Sequence, residues 1–240
     1  MITWNGVTSD SLNVLVESVP DYDKPARKMD IYSVPGRNGD IAQVQDAWEN
    51  VKQTYSIAAG DGSMHSVPGA FSSVAAWLFA PKGYKRLSDG FDTTHFRMAR
   101  FDGPFDVENI MTRAGRADIT FDCKPQRFLV SGETPVTITE TPATITNTTA
   151  FNARPLLLVT GGGLEGTVTV NGTVFTISDT TVPVYIDCET MDCYDGNGNN
   201  KNSIVSSSTS EFATLAPGGN AIGMTGAISS VQITPRWWEL

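Results

Sequence analysis

The stretch IYSVPGRNGDIAQVQDAWENVKQTYSI, Ile31 to Ile57, decides how the first half of the chain is interpreted. Its two ends are rich in β-branched and aromatic residues, which predicts two strands, each with one half-buried face. Turn-forming residues fill Pro35–Asp40, so a loop is expected to reverse the chain there. The rest of the connection, Ile41–Asn50, fits either a short helix or an open loop, and the pattern does not decide between them.

The loop Pro35–Asp40 carries a local signal of its own. Asn38-Gly39 is a favoured pair for a hairpin turn. Arg37 and Asp40 are expected at the rim of the loop, where they pair with each other or with a neighbouring chain. One interpretation is a surface hairpin with no further role. The other is that Arg37, Asn38 and Asp40 form a contact between subunits or along a lumen.

The composition is that of a globular protein with one large or two ordinary domains. The chain has 240 residues, of which 40% are hydrophobic and 18% are charged, and these proportions exclude a disordered chain. The formal net charge is −9. That balance argues against wrapping nucleic acid, because such binding needs an excess of Lys and Arg, and against docking on an anionic membrane. It still allows DNA to pass nearby, because like charges prevent sticking.

The sequence predicts neither secretion nor membrane insertion. Met1–Gly6 lacks the basic and apolar regions of a signal peptide, and no apolar run has the length of a transmembrane helix. Cys123, Cys188 and Cys193 have no metal-binding spacing. Reduced thiols in a protein made in a cytosol are therefore expected, and no metal site or cofactor is predicted.

One helix and several strands are predicted in the first half. Phe71, Val74 and Leu78 fall on one helical face, so Pro68–Phe79 is predicted to be a helix. Strands are predicted where apolar and polar residues alternate. These segments are Leu12–Val16, Thr94–Phe105 and Arg116–Phe128. In Thr94–Phe105, the basic residues are expected on the face opposite Phe96 and Met98.

The second half has an all-β pattern. A domain boundary is expected near Leu129–Gly132, and Ser131–Thr149 is either a linker or the first strand of a second domain. Asn171-Gly172 between two alternating segments is the strongest hairpin signal in the chain. A strand is predicted over Pro155–Thr160; it is expected to be buried on both faces and to end at Gly161–Gly163. Further strands are predicted at Val184–Asp187 and Ala227–Ile233, and a turn at Gly218–Asn220. Together these segments predict a β-sandwich.

Motifs spread over nearly the whole chain resemble those of siphophage distal tail (Dit) proteins, a phage tail protein family. Val34–Asp40 is similar to the N-terminal part of that family, as is the helix with Trp77-Leu78 that precedes an aromatic and arginine-bearing strand. Ser131–Thr149 contributes nothing to the resemblance. The second half matches through Asn171-Gly172, Ile186–Cys188 followed by Tyr194, Leu215–Asn220, and Pro235–Trp237.

This resemblance implies a mainly β fold in two domains. Residues 1–130 are expected to form an α+β, tail-tube-like β-barrel with one helix, which closes into a homohexameric ring. Residues 131–240 are expected to form a C-terminal β-sandwich similar to galectins and carbohydrate-binding modules.

The function that the resemblance implies is structural and not enzymatic. The protein is expected to be a virion component, made in the bacterial host cytoplasm, that forms a hub at the distal end of a long non-contractile tail. It would join the tail tube protein to tail-tip and receptor-binding proteins. A channel through the ring would let DNA pass without specific binding.

Candidates for catalysis or metal binding are few. His65 and His95 have no nucleophile in a matching context. Asp187 and Glu189 would share one face of a strand as a carboxylate pair. Asp195–Asn200 begins like a calcium loop but lacks the required glycine and glutamate. No catalytic residue is therefore predicted.

Trp237 and Trp238 support an alternative function. Consecutive residues on a strand face opposite sides, so one indole is expected in the core and the other is expected to contact a partner or a sugar. In this alternative, the C-terminal sandwich is a carbohydrate-binding module that recognises a glycan on the host cell surface. A hydrolase that acts on cell-wall sugar through Asp187 is a third hypothesis.

Overall fold

The computed structural model describes residues 1–60, 66–111 and 114–240. The described chain divides into two compact units, Met1–Arg127 with Leu240, and Phe128–Glu239. Both units are built mainly from strands, which confirms the predicted fold class. No helix in the described ranges has the length and hydropathy that crossing a bilayer requires.

The first unit contains a large curled sheet, a separate two-stranded sheet and one described α-helix, α1 (Val67–Phe79). The large sheet curls into a half-barrel in the order β2-β1-β7-β8-β10-β6-β3, and β9 pairs with β10. The strands are β1 Ile2–Trp4, β2 Val7–Thr8, β3 Val14–Val16, β4 Arg27–Tyr32, β5 Ile41–Trp48, β6 Val51–Ala59, β7 Lys85–Asp89, β8 His95–Arg100, β9 Glu108–Met111 and β10 Ala114–Leu129.

Helix α1 and the inner face of the large sheet enclose the core of the first unit. The predicted stripe of Phe71, Val74 and Leu78 is buried, which confirms the helix. Trp77 is also buried, and its indole Nε1 lies 3.4 Å from the carbonyl oxygen of Trp4. The predicted inward set on β10 is confirmed as well: Ala117, Ile119, Phe121 and Cys123 are all buried.

The prediction for β8 is wrong in one respect. Arg97 and Ala99, not Phe96 and Met98, lie on the face that joins the central core. Arg97 is only 6% exposed. The sequence does not show which face of β8 is buried, because a buried arginine with hydrogen-bond partners looks the same in sequence as a solvated one.

The deciding stretch also folds differently from the prediction. Ile41–Trp48 is neither helix nor open loop but strand β5, which pairs antiparallel with β4 in a two-stranded sheet of its own. Val51–Ala59 belongs instead to the large sheet, between β10 and β3. The expected half-buried face of the first strand is absent, since Ile31 is 62% exposed. All six residues of β4 are exposed, so its alternation of apolar and polar side chains produces no buried face within this chain.

The second unit is a single sheet of eight strands around its own core. The central path is β11-β18-β13-β14-β17; β12 joins β18, β15 joins β13, and β16 joins β15. The strands are β11 Val136–Ile138, β12 Ala143–Asn147, β13 Leu156–Val170, β14 Thr173–Ile177, β15 Val184–Asp187, β16 Asp192–Tyr194, β17 Val205–Ser207 and β18 Gly218–Thr234, with a short β19 Trp238–Glu239 after them. Ser131–Thr149 is therefore not a plain linker, because it contains β11 and β12.

The three glycines at positions 161–163 bend β13 and do not end it. Leu157 and Val159 before them, and Val168 and Val170 after them, are all buried in the same core. The register against β18 shifts at Gly161 and again before Gly166, so the inward alternation changes from odd to even positions. The bulged segment thus changes which side chains of β13 face the core without ending the strand.

Two further turn predictions have different outcomes. Asn171-Gly172 closes the β13–β14 hairpin, and both residues have positive φ, 48° and 86°, as the predicted turn demands. Gly218–Asn220 is not a turn but the beginning of β18, where it pairs with β12. That pairing depends on a strand far away in sequence, so local turn propensity was overruled.

Candidate assembly surface and polar clusters

The two-stranded sheet forms a β-hairpin, Arg27–Trp48, which we call the arm. Its strands pair with each other and with no other described strand. At its base, the Glu49 amide donates to the Ala26 carbonyl at 2.9 Å. An isolated two-stranded sheet is at best marginally stable in water. The arm is therefore a segment whose surface is suited to a partner.

The arm has an apolar face and an opposite face, here called the polar face, which is polar except for Tyr32 and Ile41 next to the tip. The register places Met29 opposite Val44 and Ile31 opposite Ala42, so these four side chains share one side, the apolar face. Ile31 is 62% exposed and Val44 is 55% exposed. On the other side, Asp30 lies opposite Gln43 and accepts a hydrogen bond from Gln45 Nε2 at 2.9 Å.

The predicted contact residues lie at the far end of the arm. Gly36 and Gly39 adopt positive φ in this loop, and the Arg37 amide donates to the Val34 carbonyl at 3.2 Å. The side chains of Arg37, Asn38 and Asp40 are exposed. The fold thus brings the three together on one exposed tip, where contact with another chain is sterically open.

A polar cluster lies where the arm joins the large sheet. Asp89 accepts hydrogen bonds from the hydroxyls of Tyr22 and Tyr55, both at 2.9 Å. Burial and this carboxylate raise the pKa of Tyr55 well above its ordinary value. The same two causes raise the pKa of Tyr22. Both phenols therefore remain neutral donors that hold Asp89.

The predicted candidate His95 belongs to the same cluster, in a structural setting. His95 Nδ1 lies 3.0 Å from Asp92, which also pairs with Arg127. Burial would raise the pKa of Asp92, but the hydrogen bonds from His95 and Arg127 hold it well below its usual range. The cavity beside these residues has a volume of about 20 Å³, which is room for one water and no substrate. His65 lies outside the described residues.

The outward side of the large sheet carries paired polar groups, which we call the outward polar face. Thr54 and Thr120 bond across β6 and β10 at 2.8 Å, and Ser56 donates to Asp118 at 2.6 Å. Charged groups on this face are matched with opposite ones. Asp122 pairs with Arg100 at 2.9 Å and with Lys52 at 3.2 Å, and Arg116 pairs with Glu17 at 2.7 Å.

In the second unit, the proposed carboxylate pair is not an open acid–base pair. Arg236 binds Asp187 with both terminal nitrogens, at 2.7 and 2.9 Å. The Glu189 amide also donates to Asp187, at 2.9 Å. Burial alone would raise the pKa of Asp187, but the bonds from Arg236 hold it below its usual value. The arrangement anchors the chain before Trp237 and leaves Asp187 no free oxygen for general acid chemistry.

The calcium-like loop is closed by its own hydrogen bonds. Asp195 Oδ1 accepts from the amides of Asn197 and Asn199, at 2.9 and 3.0 Å. Hydrogen bonds from the Asn199 side chain and backbone lower the pKa of Asp195 to about 2. No cluster of three or more metal-ligating side chains occurs within the described ranges.

The two predicted tryptophans occupy different environments. Trp237 is buried in the core of the second unit. Trp238 is half-buried, stacks on Phe151 with ring centroids 4.4 Å apart, and donates from Nε1 to the Asn152 carbonyl at 2.9 Å. The two indoles therefore do not form one shared platform, and Phe151 covers a face of the outer one.

All three cysteines are free and buried. Burial raises the pKa of Cys123 and of Cys188 to about 12, and that of Cys193 to about 11. Thiols with such values are almost fully protonated at neutral pH and react slowly.

Sequence patterns did not reveal two polar clusters that join distant parts of the chain. The Tyr22–Asp89–Tyr55 group joins residues up to 67 positions apart, and Asp187 lies 49 positions from Arg236. Neither set has a spacing signature. Their only local signals were a tyrosine inside a proline-bracketed loop and an arginine before the terminal tryptophans.

The described chain, with its curled half-barrel sheet, one described α-helix, a separate hairpin and an all-β second unit, is similar in fold to solved phage tail proteins. The SPP1 Dit protein, described as a paradigm of the hub adsorption apparatus in phages infecting Gram-positive bacteria, has this fold. Its TM-score is 0.76 at 12% identity, over 100% of this chain and 98% of that one. The predicted resemblance to distal tail proteins is confirmed by this match.

Chains of the phage p2 baseplate in its activated conformation are also similar. The strontium and calcium forms give TM-scores of 0.52 and 0.54 at 10% identity, over 92% of this chain and 90% of theirs. No family model and no curated protein matches the sequence. The likeness is thus one of fold, retained where sequence similarity has been lost.

Proposed function

We propose that this chain is a structural hub protein at the distal end of a long non-contractile phage tail. The observation that carries the proposal is the match to the SPP1 Dit protein over the full length of both chains. The described polar clusters agree with a structural role, because Asp89 and Asp187 are held by hydrogen bonds within the chain and the cavity beside Asp89 has room for one water and no substrate.

Ring closure is proposed to use the arm. A cyclic head-to-tail contact needs a protruding element on one side of the subunit that is complementary to its neighbour. The apolar face of the arm supplies such an element, with Arg37, Asn38 and Asp40 at the tip as polar contacts. By the family resemblance, the ring is a homohexamer.

The lumen is proposed to be lined by the outward polar face. On this face, lysines and arginines are paired with carboxylates and hydroxyls are paired with each other. A DNA phosphate passing such a surface displaces few counterions and is not retained. DNA would therefore slide through the ring without specific binding.

The partners follow from this position in the tail. One face of the ring would meet the tail tube protein, and the opposite face would meet tail-tip and receptor-binding proteins. The assembled location would be the virion, after synthesis in the bacterial host cytoplasm. The free, buried cysteines are consistent with synthesis in a reducing compartment.

Light scattering and negative-stain microscopy of the purified full chain test the proposal. Six copies of 25.8 kDa give a particle of about 155 kDa, expected to appear as a ring with a central hole. Where the isolated chain is a monomer, a tail tube protein is added to nucleate the ring. A chain that forms no ring alone or with tube protein contradicts the proposal.

The tip residues are tested in the same assay. Arg37→Ala with Asn38→Ala is expected to shift the equilibrium toward monomers, because polar tip contacts between subunits are lost. The matched control is Lys201→Ala, a change at a half-buried position of the second unit whose ion pair with Asp195 is intramolecular. Assembly of the double variant at the level of the control would exclude a role of the tip in ring closure.

A further inference from the structure

Two short segments, or legs, join the arm to the large sheet, and neither of them packs into the core. The first leg is Asp21–Ala26 and the second is Glu49–Asn50. In the described chain, the central apolar core of the first unit takes no residue from positions 17 to 50. Pro20 is buried immediately before the first leg, but beyond it the arm is not fixed by packing into that core, the usual source of rigidity.

Hydrogen bonds hold the first leg instead: three join it to strands of the large sheet, and Lys24 Nζ donates to the Leu240 carbonyl at 2.6 Å. Gln53 Nε2 donates to the Asp21 carbonyl at 2.8 Å, and the Tyr22 hydroxyl donates to Asp89 at 2.9 Å. Arg97 Nη2 lies 3.5 Å from the Asp23 carbonyl. The three groups on the sheet that hold the leg come from strands β6, β7 and β8, so three neighbouring positions of the leg are held by three different strands.

Two of these groups are polar side chains in places where a core normally has apolar ones. Gln53 is 1% exposed and Arg97 is 6% exposed. Burying such groups is unfavourable unless they find hydrogen-bond partners. The Asp21 carbonyl supplies a partner for Gln53 Nε2, and the carbonyls of Asp23 and Pro125, each 3.5 Å from a terminal nitrogen, supply partners for Arg97.

The second leg is held in the same manner. Asn50 Nδ2 donates to Asp122 at 2.9 Å and to the Tyr84 hydroxyl at 2.7 Å. The Glu49 amide donates to the Ala26 carbonyl at 2.9 Å and ties the two legs together. Each leg is thus fixed by directional polar bonds, with a geometry that apolar packing does not impose.

We propose that these bonds act as pins that preset the direction of the arm, and that breaking them releases the arm while the large sheet stays folded. The inference rests on the proposed function for its consequence: an arm held in one direction loses less conformational entropy when it docks on a second copy. The pins would then raise the rate of ring closure without touching the neighbouring subunit.

Hydrogen exchange measured by mass spectrometry on the full chain, diluted to the monomeric state, tests the pins directly. The variant combines Tyr22→Phe, which keeps the ring but removes the hydroxyl, with Asn50→Ala. Exchange in the legs, followed at the Glu49 amide that donates to the Ala26 carbonyl, is expected to accelerate on the order of tenfold, the effect of losing hydrogen bonds of ordinary strength. Exchange in β6 and β10 should stay within roughly twofold of the unmodified chain.

The control variant is Thr54→Val, which removes the Thr54–Thr120 bond on the same sheet but away from the legs. It should leave leg exchange unchanged. Unchanged leg exchange in the pin variant, or equal acceleration throughout the sheet, overturns the proposal. Tyr22→Phe alone repeats the test at one leg if the double variant does not fold.

A second readout separates this inference from the hub proposal. When rings of the unmodified chain form, the pin variant should assemble more slowly but reach the same rings at high concentration. Failure of the unmodified chain to form rings would remove the hub proposal and leave the exchange test standing. If rings form but leg exchange is unaltered in the variant, the proposal about the pins is refuted and the hub proposal stands.

Discussion

At the residue scale, Asp187 shows how one carboxylate anchors a chain segment. It receives both terminal nitrogens of Arg236 and the amide of Glu189. Arg236 itself adopts a positive φ of 59°, a conformation that non-glycine residues adopt at a cost. The paired hydrogen bonds offset that cost and place Trp237 in the core.

This pair predicts acid sensitivity of the second unit. Because the pKa of Asp187 is held below its unfolded value of about 3.9, its stabilising contribution is complete above pH 4 to 5 and is lost as the pH falls through the folded-state pKa. Asp187→Asn should lower the free energy of unfolding by about 1 to 2 kcal/mol at pH 7. It should also reduce the loss of stability at acidic pH. Urea unfolding between pH 3 and 7 measures both. The same loss of stability at acidic pH in the variant and in the unmodified chain would contradict this role of Asp187.

At the element scale, the bend in β13 depends on glycines that differ in their surroundings. A Cβ at Gly161 would collide with the Ala227 carbonyl and lie 2.7 Å from Thr180 Cβ, whereas one at Gly162 meets nothing within 4 Å. Both residues belong to the same bulged segment, so they form a matched pair for substitution.

Gly161→Ala is therefore expected to destabilise the second unit by about 2 kcal/mol, because overpacked backbone has to move. Gly162→Ala should change the free energy of unfolding by less than about 0.5 kcal/mol. Chemical denaturation of the two variants measures the difference. Equal effects would mean that the bend tolerates a side chain at both positions.

The arm makes a second prediction at this scale. Ile31→Asp with Val44→Asp places two charges on the apolar face, and burying them in a subunit contact is unfavourable. Ring formation should be lost, while the melting temperature of the monomer stays nearly unchanged, because both side chains are exposed. Sedimentation velocity gives the oligomeric state.

The matched control for this prediction lies on the polar face of the same hairpin. Gln43→Asp with Gln45→Asp adds the same two negative charges on that face and should leave assembly far less affected. Loss of rings with both pairs would point to net charge and not to the apolar face.

At the scale of the whole molecule, the net charge and the paired bases support the proposal that DNA passes without being retained. The net charge is −9, and the bases on the outward polar face are paired with acids. Rings or monomers mixed with duplex DNA at about 50 mM salt should give no mobility shift, because few counterions are available for release. Asp122→Asn with Glu17→Gln, which frees the paired bases, should introduce weak, salt-sensitive retention.

The sequence by itself determined those elements whose signal is local. Helix α1 follows from the spacing of Phe71, Val74 and Leu78, strand β10 from its alternation, and the β13–β14 hairpin from Asn171-Gly172. In each case the residues that produce the periodicity or the turn are those that satisfy the packing. Motif order also indicated the distal tail fold, which the structural likeness confirms.

Only the tertiary structure decided the features that depend on distant partners. The arm is a separate hairpin because β6 finds β10 and β3, so β4 and β5 are left to pair with each other. Arg97 faces inward because the first leg brings it a carbonyl, and Gly218–Asn220 is a strand because β12 pairs there. In each of these places, a hydrogen-bond partner dozens of residues away outweighs a local preference worth at most about 1 kcal/mol, and no local pattern records where that partner will be.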